Sequence, residues 1–249
     1  MYKKFLIFVF GILISANWSI FYAGTKDFET CVTGKNVSDS SVTLSEKESK
    51  AVSSLAKNCG LSEEKLKSLL SFKASKKNCF LVPVCNCPEH LKCFLNIFSY
   101  ANPDYMKYYL NGVLMKPNYV NNWFARTVKN LDKDSPRSIS FLVKVENEVV
   151  ARIGLGPLND RKGVDTEIGY AILKDYSGKG IMGESVNCTL KFLSYLRTKG
   201  KSVYNYKRIR ATAKKENKAS NAILSNHGFV LSKKSVNNGC ENEYFYYFK

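Results

Sequence analysis

The sequence predicts an α/β protein, of the α+β kind, in which helices flank a mixed central sheet and a small helical appendage precedes it. Two observations predict this architecture. Residues 25–77 contain short stretches of helical periodicity. From about residue 78, apolar runs that alternate in strand fashion are interspersed with further helical stretches. With 249 residues and 45% hydrophobic content, the chain is long enough for one large domain and an appendage.

The first 24 residues differ in composition from the rest of the chain. Lys3 and Lys4 precede an apolar run over residues 5–16, which is the layout of an export signal, although no small-x-small cleavage motif is well formed. Residues 5–24 are also long enough to span a bilayer, so an uncleaved anchor and a buried helix are alternatives. We therefore expect an exported or membrane-anchored protein, located in the secretory pathway, a periplasm or a host cell, with the cytoplasm as the less favoured alternative. Membrane contact would be made through residues 5–24.

Cysteines are numerous, and they stand at positions 31, 59, 79, 85, 87, 93, 188 and 240. An even count behind an export-like segment favours disulfide bonds, whose pairing the sequence does not determine. A metal site formed by Cys79, Cys85, Cys87, His90 and Cys93 is an alternative, because thiolates and imidazole suit zinc, but two spaced Cys-x-x-Cys pairs are missing. Buried free thiols become the leading interpretation if the protein stays in a reducing compartment.

The appendage, residues 25–77, is predicted to be an accessory helical segment that follows the export or anchor segment at residues 1–24. Ser45 is placed to cap a first helix, which Gly60 ends. Ser62 is placed to cap a second helix with leucines at helical spacing. These residues indicate no particular chemistry.

The remaining residues, 78–249, are predicted to form one domain. Its predicted strands comprise residues 79–84, 138–145, 149–155, 164–173, 203–213, 229–231 and 243–248. Its predicted helices comprise residues 88–99, 103–110, 120–131, a long helix from the glycines at 178–183 to Gly200, and 218–226. The order of these elements predicts the mixed sheet flanked by helices.

The most informative stretch is residues 167–184, in which a strand leads into a turn with three glycines and a long helix begins. Backbone N–H groups at a helix start are unpaired and lie at the positive end of the helix dipole, so they suit a pyrophosphate. A purely structural turn has the same composition, and neither the P-loop nor the dinucleotide fingerprint is present. The turn alone is therefore weak evidence for a phosphate site.

Several linked motifs, of which this stretch is one, together resemble a known family. Glu167-Ile-Gly-Tyr and Tyr176-Ser-Gly-Lys-Gly-Ile together resemble the acetyl-CoA-binding strand, turn and helix of the Gcn5-related N-acetyltransferase (GNAT) superfamily. The closest resemblance is to the ribosomal-protein N-terminal acetyltransferase (RimJ- and RimL-like) branch. Further matches follow in the family's order: Val150-Ala-Arg-Ile-Gly-Leu-Gly, Arg208-Ile-Arg-Ala-Thr-Ala, Glu216-Asn-Lys-Ala-Ser-Asn and Leu224-Ser-Asn-His-Gly-Phe.

The resemblance is clear over residues 138–235, and it implies a GNAT fold for residues 78–249. It further implies that acetyl-CoA is the co-substrate and that its acetyl group passes to a primary amine without a metal or a covalent enzyme intermediate. The amine would belong to a protein N-terminus, a lysine or a small molecule. The implied cofactor-binding residues are Ile172, Leu173, Gly178, Lys179, Gly180, Ile181, Met182, Gly183 and Asn217.

Glu167 is the predicted general base. Strand alternation places Glu167, Gly169 and Ala171 on one face, which leaves space where an amine and a thioester can meet. The carboxylate would take the proton of the ammonium group. The alternative is a surface residue paired with a lysine.

Ser220 is the second predicted catalytic residue, since it would donate a proton to the leaving thiolate. Asn217, three residues earlier, shares its helix face and would contact the pantetheine arm. Helix capping by Asn217 is an alternative that is compatible with this role.

Three residues depart from the family pattern. Ser177 replaces a basic residue or glutamine, Met182 replaces a small residue, and Leu224 stands where a tyrosine often acts as general acid. They favour a second hypothesis, a catalytically silent domain that binds CoA or an acidic partner.

The chain is strongly basic, with 38 Lys and Arg against 21 Asp and Glu, a net charge of +17. Nine basic residues and one acidic residue lie in residues 197–218. This charge favours the phosphates of CoA or an acidic acceptor, or it forms an ordinary solvated face. No ribonucleoprotein or zinc-finger spacing is present, so nucleic acid is not expected as a partner.

Overall fold

The computed structural model describes residues 42–101, 103, 107–108, 113–131, 138–157, 165–200, 206–232, 236 and 241–248. The strands are β1 (Ser71–Ala74), β2 (Lys77–Pro83), β3 (Ile139–Val145), β4 (Glu148–Pro157), β5 (Asp165–Ile172), β6 (Arg208–Lys214), β7 (Val230–Leu231) and β8 (Glu241–Tyr247). The helices are α1 (Glu46–Cys59), α2 (Glu63–Leu70), α3 (Pro88–Phe98), α4 (Pro117–Leu131), α5 (Ile181–Thr198) and α6 (Lys218–Asn226). Most of the helix predicted at residues 103–110 lies outside the described residues.

The eight strands form one sheet in the order β1-β2-β3-β4-β5-β6-β8-β7. Neighbouring strands are antiparallel except β5 and β6, which are parallel. The core between sheet and helices contains large apolar side chains such as Phe94, Phe141 and Phe192. The predicted mixed sheet flanked by helices is confirmed.

The two helices of the appendage begin and end at the predicted capping residues. The Ser45 side chain accepts a hydrogen bond from the N–H of Glu48, and Gly60 ends α1 with φ of 61°. The Ser62 side chain accepts a hydrogen bond from the N–H of Lys65 at the start of α2. These caps satisfy backbone groups that a helix end otherwise leaves unpaired.

The end of the appendage differs from the predicted helical segment, because residues 71–74 form β1 and pair with β2. The turn between the two strands has positive φ at both central residues, 50° at Ser75 and 66° at Lys76. Hairpin turns of this kind usually carry glycine or asparagine. Because neither residue occurs there, the hairpin could not be predicted from the local sequence.

A buried carboxylate joins the appendage to the rest of the sheet. Glu48, in the first turn of α1, is almost fully buried. Its Oε2 accepts a hydrogen bond from Lys144 Nζ on β3 at 2.8 Å, and its Oε1 lies 3.1 Å from His90 Nε2 on α3. The backbone N–H of Ser45 donates to the same carboxylate at 2.7 Å, which completes a capping box. Three elements are thereby linked through one side chain.

The disulfide prediction is wrong for the described cysteines. Buried cysteines that form no disulfide bond with one another are Cys59, Cys79, Cys85, Cys87, Cys93 and Cys188. Cys31 and Cys240 lie outside the described residues. The physical reason is that thiols are among the side chains most often packed into a core, where an even count carries no meaning for pairing.

The expectation of an exported or membrane-anchored protein, with membrane contact through residues 5–24, is corrected as well, because the described cysteines lack the disulfides that export would favour. Among the described residues, every helix is too short or too polar to cross a membrane. The predicted signal or anchor, residues 1–24, lies outside the described residues.

Candidate active site

The sheet opens between β5 and β6. These parallel strands pair over only three residues, Asp165 with Arg208, Thr166 with Ile209 and Glu167 with Arg210. Beyond this point β5 continues to Ile172 in register with β4, whereas β6 continues to Lys214 in register with β8. The two strands therefore diverge, and the backbone edge of residues 168–172 that faces β6 is left without a strand partner among the described residues. Such an edge can pair with an extended ligand.

Glu167 lies at the apex of this opening, because it belongs to the last pair of residues that join the two strands. Its side chain is 41% exposed, and its Oε2 lies 3.8 Å from Nη1 of Arg210. The Arg210 guanidinium binds Glu243 more closely, with Nε donating to Oε1 at 2.6 Å. The cation beside Glu167 is thus an arginine held mainly by another carboxylate, and not the surface lysine of the alternative interpretation.

The surroundings of Glu167 shift the pKa of its carboxyl group. Burial raises the pKa of this carboxyl above its ordinary value, while Arg210 acts in the opposite direction and the carboxylates Glu241 and Glu243 raise the pKa further. A carboxylate with a raised pKa is a stronger base, which suits it to accept a proton near neutral pH.

Open space adjoins Glu167 on the same strand. A Cβ atom added at Gly169 would have no heavy atom within 4 Å among its described neighbours. Ala171, the next residue on this face, is half-buried. The predicted space beside the carboxylate is therefore present.

The opposite face of β5 carries a hydroxyl pair that the sequence did not indicate. Tyr170 Oη lies 2.8 Å from Ser220 Oγ, on α6. Burial raises the pKa of Tyr170 to about 12. Asn217 caps α6, since its Oδ1 accepts a hydrogen bond from the N–H of Ser220 at 3.1 Å. The capping interpretation of Asn217 is confirmed, and Ser220 is oriented toward the strand that carries Glu167.

The glycine turn connects β5 to α5 through a single 3₁₀ turn, Lys174–Tyr176. Gly178 and Gly180 have φ of 74° and 73°, a backbone region that other residues rarely adopt. Both are exposed, and a Cβ added at either would meet nothing within 4 Å. The first N–H of α5 that finds an intrahelical acceptor is that of Glu184, which donates to Gly180 at 3.1 Å. The preceding amides have no intrahelical acceptor, and unpaired amides at a helix start suit an anion.

Other predicted cofactor residues have additional structural contacts. The side chains of Ile181 and Met182 are buried in the core, so only their backbone faces the turn. A Cβ at Gly183 would lie 3.2 Å from Cε1 of His227, which gives this glycine a packing role. Leu173 donates its N–H to Val150 and accepts from Tyr176, so a cofactor contact would involve its side chain. Ile172, in register with Ala151, ends the open edge of β5.

Part of the basic segment at residues 197–218 has structural contacts as well. Arg210 is buried in its ion pair with Glu243. Arg197 donates from Nη1 to the carbonyl of Tyr206 at 2.9 Å. Lys199 lies 5.7 Å above the ring of Tyr195. These cations are not wholly available for a bound anion.

The chain was compared with known proteins. The model of a family described as acetyltransferase (GNAT) domain matches residues 81–230. No curated protein matches the chain significantly. Among solved structures, microcin C7 self-immunity acetyltransferase MccE, in complex with acetyl-CoA and AMP, superposes with a TM-score of 0.50 at 18% identity. That match covers 68% of this chain and 92% of the other.

Two further structures superpose to a similar extent. RimL, described as a ribosomal L7/L12 alpha-N-protein acetyltransferase in complex with coenzyme A, gives a TM-score of 0.52 at 15% identity and covers 72% of this chain and 98% of its own. RimJ of Mycobacterium smegmatis, in complex with CoA-disulfide, gives 0.51 at 16% identity and covers 70% and 83%. At such identities the likeness concerns the fold.

Proposed function

The chain belongs to the acetyltransferase (GNAT) domain family, and on this premise we propose that it transfers the acetyl group of acetyl-CoA to a primary amine, with residues 78–249 as the acetyltransferase domain. The opening between β5 and β6, with Glu167 at its apex and the glycine turn at its end, is the observation that carries the proposal. Acetyl-CoA is the co-substrate, as in the MccE complex that shares the fold.

The cofactor would occupy the opening as an extended ligand. Its pantetheine amides would pair with the free edge of residues 168–172, in the way that a strand pairs with its neighbour. Its pyrophosphate would accept hydrogen bonds from the amides of residues 178–183 at the start of α5. Asn217 uses its Oδ1 for capping, so its Nδ2 group is the part that would donate to the pantetheine arm.

Direct attack of the amine on the thioester gives each of the two predicted catalytic residues a role. Glu167 would take a proton from the ammonium group, and the neutral amine would attack the thioester carbonyl carbon. The C–N bond forms and the C–S bond breaks, which releases CoA as a thiolate. Ser220 would donate a proton to the sulfur and recover one from Tyr170 through their 2.8 Å hydrogen bond. The second proton that the amine nitrogen loses would return to Tyr170 through water, so that the proton on Glu167 is the one released to solvent. Glu167 and this pair lie on opposite faces of β5, so both would have to reach the thioester from the opening between β5 and β6.

A protein amine is the favoured acceptor. RimL, which shares the fold, is described as an enzyme that acetylates a ribosomal protein on its α-amino group. The net charge of +17 further favours an acidic segment near that amine. A lysine side chain and a small amine are the other members of the same reaction class.

A catalytically silent module that binds CoA or an acidic partner is the second candidate, because Leu224 is fully buried and no tyrosine stands at its position. Release of CoA in the presence of a panel of acidic peptides, lysine peptides and small amines distinguishes the two. The proposed enzyme releases CoA at a rate that depends on the amine, and mass spectrometry finds an acetylated product. Tight binding of acetyl-CoA without release by any amine would favour the silent module.

Acetyl-CoA is expected to raise the melting temperature in a concentration-dependent manner. A ligand that binds only the native state at a hundredfold excess over its Kd adds about 2.7 kcal/mol to the free energy of unfolding. The substitution Gly180→Val should abolish this shift, because a side chain would occupy the space of the pyrophosphate and strain the left-handed backbone.

Gly200→Val is the matched control. Gly200 has φ of 65° and open space at its Cβ, like Gly180, but it lies at the other end of α5. The control should lower the basal melting temperature through the same strain and retain the full shift with acetyl-CoA. An equal shift in wild type and Gly180→Val would exclude the turn from the binding site.

A further inference from the structure

A compact cluster of thiols and imidazole lies outside the proposed active site. It consists of Cys85, Cys87 and His90, in the segment that connects the end of β2 to the first turn of α3. We propose that this Cys–His cluster binds one Zn²⁺ ion, which stabilises the junction between the appendage and the acetyltransferase domain. The ion takes no part in acetyl transfer.

The distances within the cluster fit zinc. The Sγ atoms of Cys85 and Cys87 are 3.5 Å apart, and Cys85 Sγ is 3.5 Å from His90 Nδ1. All three ligand atoms lie within 4.8 Å of one another. Tetrahedral geometry with ordinary bond lengths places two zinc-bound sulfurs about 3.8 Å apart and a sulfur and a nitrogen about 3.6 Å apart. Movements of a few tenths of an ångström would therefore complete the coordination, whereas a disulfide needs about 2.0 Å.

The orientation of His90 is a second, independent observation in favour of a metal site. Its Nε2 lies 3.1 Å from Oε1 of Glu48, and that carboxylate also accepts a hydrogen bond from Lys144. Since an ionised carboxylate only accepts, Nε2 carries the proton and Nδ1 holds the lone pair. The Nδ1 atom faces the cluster and accepts from the N–H of Cys85 at 3.1 Å, a hydrogen bond that zinc coordination would replace because Nδ1 has a single lone pair. Metal-binding histidines commonly donate their second ring N–H to a carboxylate in this way.

Charge balance is compatible with an ion. The three residues are 6%, 5% and 0% exposed, in the order of their numbers, so isolated charges among them would be strongly penalised. Two thiolates neutralise one Zn²⁺, and Lys144 neutralises Glu48. The five side chains and the ion are then neutral as a group. Three protein ligands leave the fourth position of the tetrahedron to a water molecule, an arrangement otherwise typical of catalytic zinc sites.

The position of the Cys–His cluster in the fold indicates a stabilising role for the ion. Cys85 and Cys87 belong to a short segment that has no regular structure, and the neighbouring Glu48 belongs to the appendage. A metal bound to thiolates and imidazole fixes such a segment because binding is coupled to folding. It would hold His90 in place, and through His90 it would hold α1 against the sheet.

The test is elemental analysis of the full chain, purified without a metal-binding tag from zinc-supplemented cells. One zinc ion per chain is expected in wild type and in Cys93→Ser, and none in Cys87→Ser. Cys93 is the matched control, because its thiol is equally buried on α3 but lies outside the cluster. A strong chelator should lower the melting temperature of wild type and Cys93→Ser.

Cobalt substitution covers the case in which Cys87→Ser does not fold. Refolding wild type with Co²⁺ should produce thiolate-to-cobalt charge-transfer absorption in the near ultraviolet, which a site without cysteine ligands does not give. Wild type that carries substoichiometric zinc and shows no cobalt–thiolate absorption would overturn the proposal, and the cluster would then be a metal-free set of hydrogen-bonded thiols.

Discussion

The substitution Glu167→Gln is expected to lower the turnover of acetyl transfer by roughly 100- to 10,000-fold, the usual contribution of a general base. Glutamine keeps the shape of the side chain at the apex of the opening and removes the proton acceptor. The loss should shrink at high pH, where more of the acceptor amine is already neutral. Steady-state kinetics with a proven acceptor at saturating acetyl-CoA measure the effect, and the thermal shift with acetyl-CoA should be unchanged.

The pH dependence of kcat/KM in wild type is an independent test of Glu167 as the general base. A base acts only when it is deprotonated, so kcat/KM should fall as the pH drops through the pKa of Glu167, which burial raises above the ordinary value of a glutamate. This acidic limb should be absent in Glu167→Gln. The control is Glu64→Gln, an exposed glutamate on α2 whose replacement should leave turnover intact. Near-normal turnover of Glu167→Gln at neutral pH would transfer the role to a water chain or to Ser220.

The substitution Glu48→Ala is expected to lower the free energy of unfolding by about 3–5 kcal/mol, the range for breaking a buried ion pair. Lys144, whose side chain is only 10% exposed, would remain as a buried charge without its carboxylate. His90 would lose the acceptor of its Nε2–H. Urea denaturation monitored by circular dichroism measures the difference. Glu46→Ala, on the same turn of α1, removes an exposed pair with Lys50 and should leave stability nearly unchanged.

The same carboxylate makes stability depend on pH. Burial by itself raises the pKa of Glu48, but hydrogen bonds from His90 and Lys144 outweigh it and lower the pKa from 4.5 to about 2. A group whose pKa is lower in the folded state stabilises the fold above its unfolded pKa. Its contribution is therefore present above about pH 4.5 and is lost as the pH falls toward about 2. In Glu48→Ala this part of the acid sensitivity should disappear, and an unchanged acid transition would contradict the assignment.

Features that depend on neighbouring residues in the chain were predictable. Ser45 and Gly60 delimit α1 because their effects act on the adjacent turn of backbone. The glycine turn and Glu167 were found because strand, turn and helix follow one another within residues 167–184. Alternation along one strand was enough to place Gly169 beside the carboxylate.

Features that join distant parts of the chain were not predictable. The hydroxyl pair of Tyr170 and Ser220 spans 50 residues, and the contact of Glu48 with Lys144 spans 96. The divergence of β5 and β6 depends on register, which no local pattern encodes. The cysteines misled because their number and an apolar N-terminus suggested oxidation, whereas burial alone accounts for their placement.

The short contact between β5 and β6 has a consequence for the order of the reaction. Among the described residues, three residue pairs make up the backbone pairing between the five-stranded portion of the sheet and the portion formed by β6, β8 and β7. We expect this seam to act as a hinge in the free protein, because the angle between the two portions can change with little loss of backbone hydrogen bonding. A pantetheine arm lying along the seam would contact both portions of the sheet and fix the angle between the two portions. Because the proposed catalytic residues Glu167 and Ser220 lie on different portions, we expect the donor to bind before the amine and the seam to loosen as CoA departs.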